Sequence, residues 1–519
     1  MARHQTQYAP SCYLDFAAPQ SMVDQNALRL RGIDSAPLPT WDQFASEIPA
    51  IHWPMNPAAE DCWQEVWKLA HKNLRRSGPA NGFIANYIDT AFNGNLFMWD
   101  SVFILMFARY GARAFDFQRT LDNFYHRQRI DGWIGRELRP FPGGSLFHPH
   151  DPASTGPNVL AWCEWEHFCC NGDKQRLAEV FPALVGYHRW MRKYRTWQDG
   201  SYFSCGLACG MDNQTRVRQD YDPHTDHGHL SWIDATSQAL LSARLLVKMA
   251  DVLGRPGDVE CEQTEIRRLD DWINTHAWSE ADGFYYDTHP ETGHSGVKSI
   301  AAWWTLLAGA ARGQRATRLA TWLADEQTFN RPHRVPTLSA DAQTYCPHGG
   351  YWLGSVWPPT NYMVLRGLSQ VGQDELAWQI GRNHLDNVLA VFEKTGTVWE
   401  NYAPESADPG KPAKRDFVGW GGLGPVAVLL EYVFGLRSSV PENTLTWDIR
   451  LTDAFGVDRL GFGHGGVLCL HCRQRQSETD PPRLGVESNR QMTLHVRWAG
   501  GQQRISLEEG KVELTCQSD

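Results

Sequence analysis

From Asp61 to Gly435 apolar residues recur at helical spacing in one segment after another, and glycines close many of the segments. This pattern is the strongest constraint on the fold. Trp63, Val66, Trp67 and Ala70 fall at i, i+3, i+4 and i+7, one face of a helix, and Leu241, Leu245 and Met249 mark a second stripe. Gly172, Gly254, Gly313, Gly372 and Gly435 stand just past periodic runs, where a helix end takes a positive φ. Asp173, Asp258 and Asp374 are placed as N-caps. The spacing predicts helices over 61–76, 99–111, 114–128, 157–171, 173–195, 231–253, 258–278, 298–312, 314–325, 361–371, 374–394 and 421–435. Short connections on one side and long aromatic loops on the other suggest helix pairs closed into a ring, an all-α (α/α)6 toroid barrel. Asp282–Asp287 alternates like a short hairpin strand.

From about residue 440 the period becomes two. Thr444–Leu451, Val467–Cys472, Met492–Trp498 and Arg504–Leu507 read as strands of a small C-terminal antiparallel β domain, with Arg473–Arg490 as a polar loop inside it. The reading divides the chain into an N-terminal arm (1–60, with a strand-like piece at Leu28–Arg31), a catalytic barrel (61–438) and a small β domain (439–519).

A chain of 519 residues, 42% hydrophobic and 21% charged, suits one large helical unit with an accessory domain. The net charge of −10 and the absence of a basic run argue against nucleic acid as a partner. Nothing approaches the apolar length of a membrane span. The first residues, Met1–Tyr8, lack the apolar core of a signal peptide, so a cytoplasmic protein is expected. The 12 cysteines show no framework spacing, and Cys469–Cys472 is a lone CxxC in a strand-like run. His148, His150, His224, His227 and His229 fit no zinc spacing, so no metal and no cofactor are expected. Oligomeric state is not readable.

The chain has 23 Trp, and many of them lie in Gly/Pro-rich loops. Flat indole faces there suit the apolar C–H faces of sugars. Gly349–Tyr362 and Gly396–Tyr402 look like the rim of a sugar site, with Tyr351, Trp352, Trp357, Trp399 and Tyr402 around one carboxylate, Glu400. Glycoside hydrolysis needs two carboxyl groups, one protonated and one ionised. Asp212, in Gly210–Asn213, is the second candidate. Taken alone, Met-Asp-Asn reads equally as a turn or cap, Glu400 as an exposed loop acid, Asp100 as an N-cap, and Arg136–Glu137 as a structural ion pair.

Together these segments resemble the family 63 glycoside hydrolases and, more loosely, the family 37 trehalases of the same clan. Met98–Ser101, Gly132–Glu137, Gly210–Asn213, Tyr351–Tyr362 and Trp399–Tyr402 carry the likeness, in family order between residues 95 and 420. The resemblance implies the (α/α)6 fold and an inverting reaction, with carboxyls about 6.5–9.5 Å apart. It gives Asp212 the role of general acid and Glu400 that of general base. Asp100 would bind sugar hydroxyls, and Trp99, Trp133, Arg136, Trp352 and Trp357 would shape the pocket. Glu137, Asn213, Tyr351, Asn361, Trp399, Tyr402 and Trp420 join them as substrate-binding residues. The implied substrate is a terminal α-glucosyl or α-mannosyl unit on a short saccharide or small glycoconjugate. Gly135, Leu138 and Thr155–Asn158 depart from the family pattern and leave linkage and aglycone open. Two other readings stand: a sugar isomerase or epimerase working through histidines such as His148 and His348, or a non-catalytic carbohydrate-binding protein.

Overall fold

The computed structural model describes residues 18–90, 93–140, 147–217 and 220–517. The segment read for a signal peptide, Met1–Tyr8, lies outside them. Six helical segments pack side by side in sequence order: Met98–Ala108, Leu160–Asn171, Ile233–Leu253, Ile300–Leu307, Pro358–Gln370 and Val418–Val433. The last also packs on the first, so the series closes on itself. The segments between them in sequence, among them Lys174–Tyr194, Glu260–Trp272, Gln314–Thr321 and Asp374–Thr395, lie outside this ring, as does Pro57–Lys72.

Inner and outer helices differ in sequence for a physical reason. Every residue of Met98–Ala108 and of Val418–Val433 is buried, and both read as apolar nearly all round. Glu260–Trp272 buries only Glu262, Glu265, Leu269 and Trp272, a single stripe at three- and four-residue spacing.

Several boundaries move. The helix expected over 421–435 starts at Val418 and continues as a π-helix, Leu423–Val433. The segment 114–128 is a 3₁₀ turn, Phe117–Leu121, running into the short helix Asp122–His126. Asp173 caps its helix by accepting from the Arg176 N–H at 2.8 Å. Asp258 and Asp374 do not cap: Asp258 lies within a 3₁₀ turn, and Asp374 sits inside its helix, ion-paired with Arg437 and Arg497. Leu28–Arg31 is not a strand, because Ala27–Leu30 forms a 3₁₀ turn capped by Asn26.

Two sheets follow the helices. One runs Ala50–His52, Phe455–Gly461, Val467–Cys472, Arg483–Ser488 and Gly510–Thr515; the other runs Leu436–Ser439, Thr444–Asp448, Met492–Trp498 and Gly501–Leu507. The N-terminal segment therefore supplies an edge strand as well as an arm. Two expectations are corrected. Thr444–Asp448 pairs with Met492–Trp498 in parallel, so the region is not purely antiparallel. The supposed loop 473–490 contains the strand Arg483–Ser488, which buries Leu484, Val486 and Ser488 and has a glycine between its apolar residues. Met492–Trp498 alternates buried and half-buried residues as a one-sided strand should. Cys469 and Cys472, three apart on one strand, project to opposite faces and cannot bind one ion together.

Candidate active site

Asp100 lies in the first turn of Met98–Ala108. Burial pushes its carboxyl up to about 8, opposed by its own backbone amide, and the charges of Glu400 and Asp212 add to the rise. Arg136 pulls the other way. Three acids more than 100 residues apart in sequence thus feel one another in a largely dehydrated place.

Asp212 follows a short helix, Gly206–Cys209, and Gly210 in the left-handed region with φ 81°. A side chain at Gly210 would strike the Trp99 ring, with a Cβ 2.9 Å from it, so the loop rests on that indole. Glycine is equally needed at Gly206, where a Cβ would fall 2.3 Å from the Asp212 carbonyl. The Tyr221 hydroxyl donates to the same carbonyl at 2.6 Å. Burial pushes the Asp212 carboxyl up to about 6, against Arg136, its own amide and His224.

Glu400 is half-buried in an extended segment whose backbone N–H donates to Lys414 O at 2.9 Å. The Lys414 N–H donates to Glu400 Oε2 at 3.1 Å, and Trp420 Nε1 donates to the Glu400 carbonyl at 2.6 Å. Burial raises the carboxyl; the Lys414 amide opposes, the Asp212 charge adds, and Lys414 and the Tyr351 hydroxyl lower it. Glu400 therefore has donors that favour its ionised form, where Asp212 has its own amide.

The aromatic surround is layered. Trp352 and Trp357 stack at 3.8 Å with planes 4° apart, Tyr351 meets Trp357 edge-on at 5.0 Å, and Trp420 meets Trp357 at 5.5 Å. Trp357 is fully buried and donates to the Tyr351 carbonyl at 3.0 Å, so it backs the site from behind. Arg136 lies over Phe147 at 4.8 Å, and Phe147 meets His224 at 5.6 Å. Arg136 and Glu137 approach to only 3.8 Å, and Glu137 accepts from Asn95 at 2.5 Å.

Several residues expected at the sugar have their polar groups engaged within the protein. Asn361 is fully buried, and its amide grips the Val335 backbone N–H at 2.9 Å and carbonyl at 3.1 Å. Tyr402 is fully buried among Val356, Val388 and Val391, with its hydroxyl taking the Trp399 N–H at 3.2 Å. Trp399 packs on that same cluster and donates to Thr395. These three build the support behind Glu400. Trp133 is buried too, donating to Ser154 Oγ at 3.3 Å. Asn213 spends its amide on backbone at residues 350 and 352. Sequence reasoning missed Phe147, Tyr221 and Lys414 and set His224 aside because its spacing fits no zinc pattern. Their only signal is spatial.

Two other hollows hold no comparable arrangement. One of about 720 Å³ is lined by Trp197, Trp272 and Trp278, and one of about 570 Å³ by His52, Asp458 and His471 on the sheet. In the second, Asp458 lies within hydrogen-bond distance of both histidines, at 2.7 and 2.8 Å, and its carboxyl is held below the ordinary value. Among the described residues no three His, Cys, Asp or Glu side chains are gathered to hold a metal ion, and no helix is long and apolar enough to cross a membrane.

Over residues 94–419 the sequence matches the family model of the mannosylglycerate hydrolase MGH1-like glycoside hydrolase domain. The chain belongs to this family and is a glycoside hydrolase of the GH63 type. A probable mannosyl-oligosaccharide glucosidase of Schizosaccharomyces pombe is 25% identical over 286 residues, 48% of this chain and 34% of that protein. A periplasmic trehalase of Xanthomonas axonopodis pv. citri is 31% identical over 156 residues, 28% of this chain and 26% of that protein. The solved GH63 mannosylglycerate hydrolase of Thermus thermophilus, in complex with glucose, shares the fold at a TM-score of 0.57 and 22% identity, covering 70% of this chain and 99% of that one.

Proposed function

We propose that the protein is an inverting exo-α-glycosidase built on an (α/α)6 toroid. It releases a terminal α-glucosyl or α-mannosyl unit from a short saccharide or small glycoconjugate. The closed series of six inner segments supports the toroid. The division into 1–60, 61–438 and 439–519 belongs to the same proposal, with strand Ala50–His52 joining the β region.

One observation carries the mechanism: the unequal surroundings of Asp212 and Glu400. Asp212, pushed up to about 6 by burial, holds its proton to higher pH than an ordinary aspartate and passes it to the leaving oxygen. Glu400, held by the Lys414 amide and the Tyr351 hydroxyl, is the better anion and takes a proton from the attacking water. The new C1–O bond forms on the face opposite the one that breaks, which inverts the anomeric centre. Asp100, raised to about 8, is protonated at neutral pH and donates to a sugar hydroxyl. Arg136 balances the remaining charge. The relatives' names support the sugar: the Thermus enzyme is a mannosylglycerate hydrolase holding glucose, and the Schizosaccharomyces protein is a probable glucosidase.

Proton NMR of fresh product from a panel of α-glucosides and α-mannosides tests this. The β-anomer first supports inversion and names the sugar. The α-anomer first makes Glu400 a nucleophile. Binding without hydrolysis sinks the glycosidase reading.

A further inference from the structure

The loop that carries the acid is tied down one residue at a time. Asn213 bonds to Gly350 and Trp352, Gln214 to Ser299 and Thr337, Thr215 to Thr344, and Arg216 to Asp234 and Asp287. Three of these four ties are framework. The first crosses the site. Asn213 Nδ2 donates to the Gly350 carbonyl at 3.0 Å, and Asn213 Oδ1 accepts from the Trp352 N–H at 2.9 Å. The residue bracketed between these bonds is Tyr351, whose hydroxyl lies near enough to Glu400 to oppose the rise of that carboxyl. Tyr351 has φ 68°, a left-handed backbone that a bulky side chain rarely adopts. Such a conformation persists only where neighbours over-determine it. Here Asn213 holds the peptides on both sides, and Trp357 Nε1 holds the Tyr351 carbonyl at 3.0 Å.

We infer that Asn213 and Tyr351 form a positioning bridge between the two catalytic carboxyls. The inference rests on the acid and base roles proposed above. Asn213 is the residue after the acid, and through its two backbone bonds it fixes the strained Tyr351. The Tyr351 hydroxyl in turn orients Glu400 and keeps it ionised. The spacing left for the attacking water is thereby set by one rigid link and does not depend on two separate loops. Asn213 is exposed, and its side-chain nitrogen and oxygen each already bond to backbone, which suits a strut better than a sugar ligand.

The test is a double-mutant cycle read through the pH profile of kcat/KM. The hydroxyl favours ionised Glu400, so Tyr351→Phe raises the base's pKa and moves the acidic limb to higher pH, by about half a unit or more. Asn213→Ala, which leaves the hydroxyl in the chain but frees its anchor, moves the same limb in the same direction. The double variant then shifts no further than Tyr351→Phe alone, because Asn213 acts through Tyr351. Circular dichroism and melting temperature establish that each variant folds; Asn213→Asp, which keeps the acceptor for Trp352, carries the test if Asn213→Ala does not. An unmoved acidic limb in Asn213→Ala, or fully additive shifts, overturns the bridge. Glu400→Gln with activity retained overturns the underlying assignment instead, so the two failures are told apart.

Discussion

Glu166 and Glu431 are buried with Arg109 and Arg366 toward the C-terminal ends of the inner helices. Asp100 is buried, and Asp212, Glu400 and Arg136 half-buried, near the N-terminal ends. Arg109 reaches Glu431 at 2.7 Å, Arg366 reaches Glu166 at 2.5 Å, and the Tyr362 hydroxyl lies 3.0 Å from Glu431. Two positive charges meet two negative ones. Burial alone would raise Glu166, but Arg366 and Arg109 outweigh it and hold the carboxyl below its ordinary value. At the other end the charges do not balance, and burial wins: all three acids are raised. The comparison teaches that one core can bury carboxylates as struts or as reagents. The supply of guanidinium decides which.

The largest effect should come from removing a reagent. Asp212→Asn and Glu400→Gln should each lower kcat by about 10²–10⁴-fold. Melting temperature should stay the same or rise, since an unbalanced buried acid is lost. Steady-state kinetics beside thermal melts check this, and a loss below tenfold in either variant breaks the contrast.

The opposite outcome is expected of a strut. Glu431→Gln leaves buried Arg109 with only the longer Glu166 contact at 3.4 Å and should cost about 3 kcal/mol of stability. Activity per folded molecule should survive. Denaturant unfolding with an activity assay at low temperature separates the two effects.

A smaller, pH-linked effect belongs to Asp100. Its carboxyl is raised from 3.8 to about 8, so the folded state holds the proton more tightly than the unfolded chain. Its contribution is present below the unfolded value and is lost as pH rises from about 4 to 8. Asp100→Asn should escape that loss and melt higher than the parent at pH 8.5 but not at pH 4. Paired melts at the two pH values check it, and an equal difference at both counts against a buried, neutral Asp100.

The smallest effect concerns the guanidinium at the site. As the acid, Asp212 must be protonated, so activity should fall as pH rises through about 6. Arg136 lowers that carboxyl, and Arg136→Gln should therefore move the basic limb to higher pH. A limb that moves down, or does not move, denies Arg136 its electrostatic role.

Much of this was open to reading in the chain. Outer helices such as Glu260–Trp272 carry their own stripe, because one side faces water. Asp212 and Glu400 stood out because each is a lone acid in a short motif, after Gly210–Met211 in one case and Trp399 in the other. Those features are local, and local chemistry is written in adjacent residues. The tertiary structure decided the rest, because the partners lie far apart in sequence. Asn361 serves Val335, Tyr402 fills a valine cluster, and Asn213 grips residues 350 and 352. A sugar-binding amide and a backbone clamp look alike in sequence, since hydrogen-bonding capacity belongs to the side chain and its partner belongs to the fold. The balance of charge is also a property of the fold. Arg109 and Arg136 are equally cationic in the chain, and only the packing sets Arg109 between Glu166 and Glu431 with Arg366 beside them, while Arg136 is set against Asp100 and Asp212.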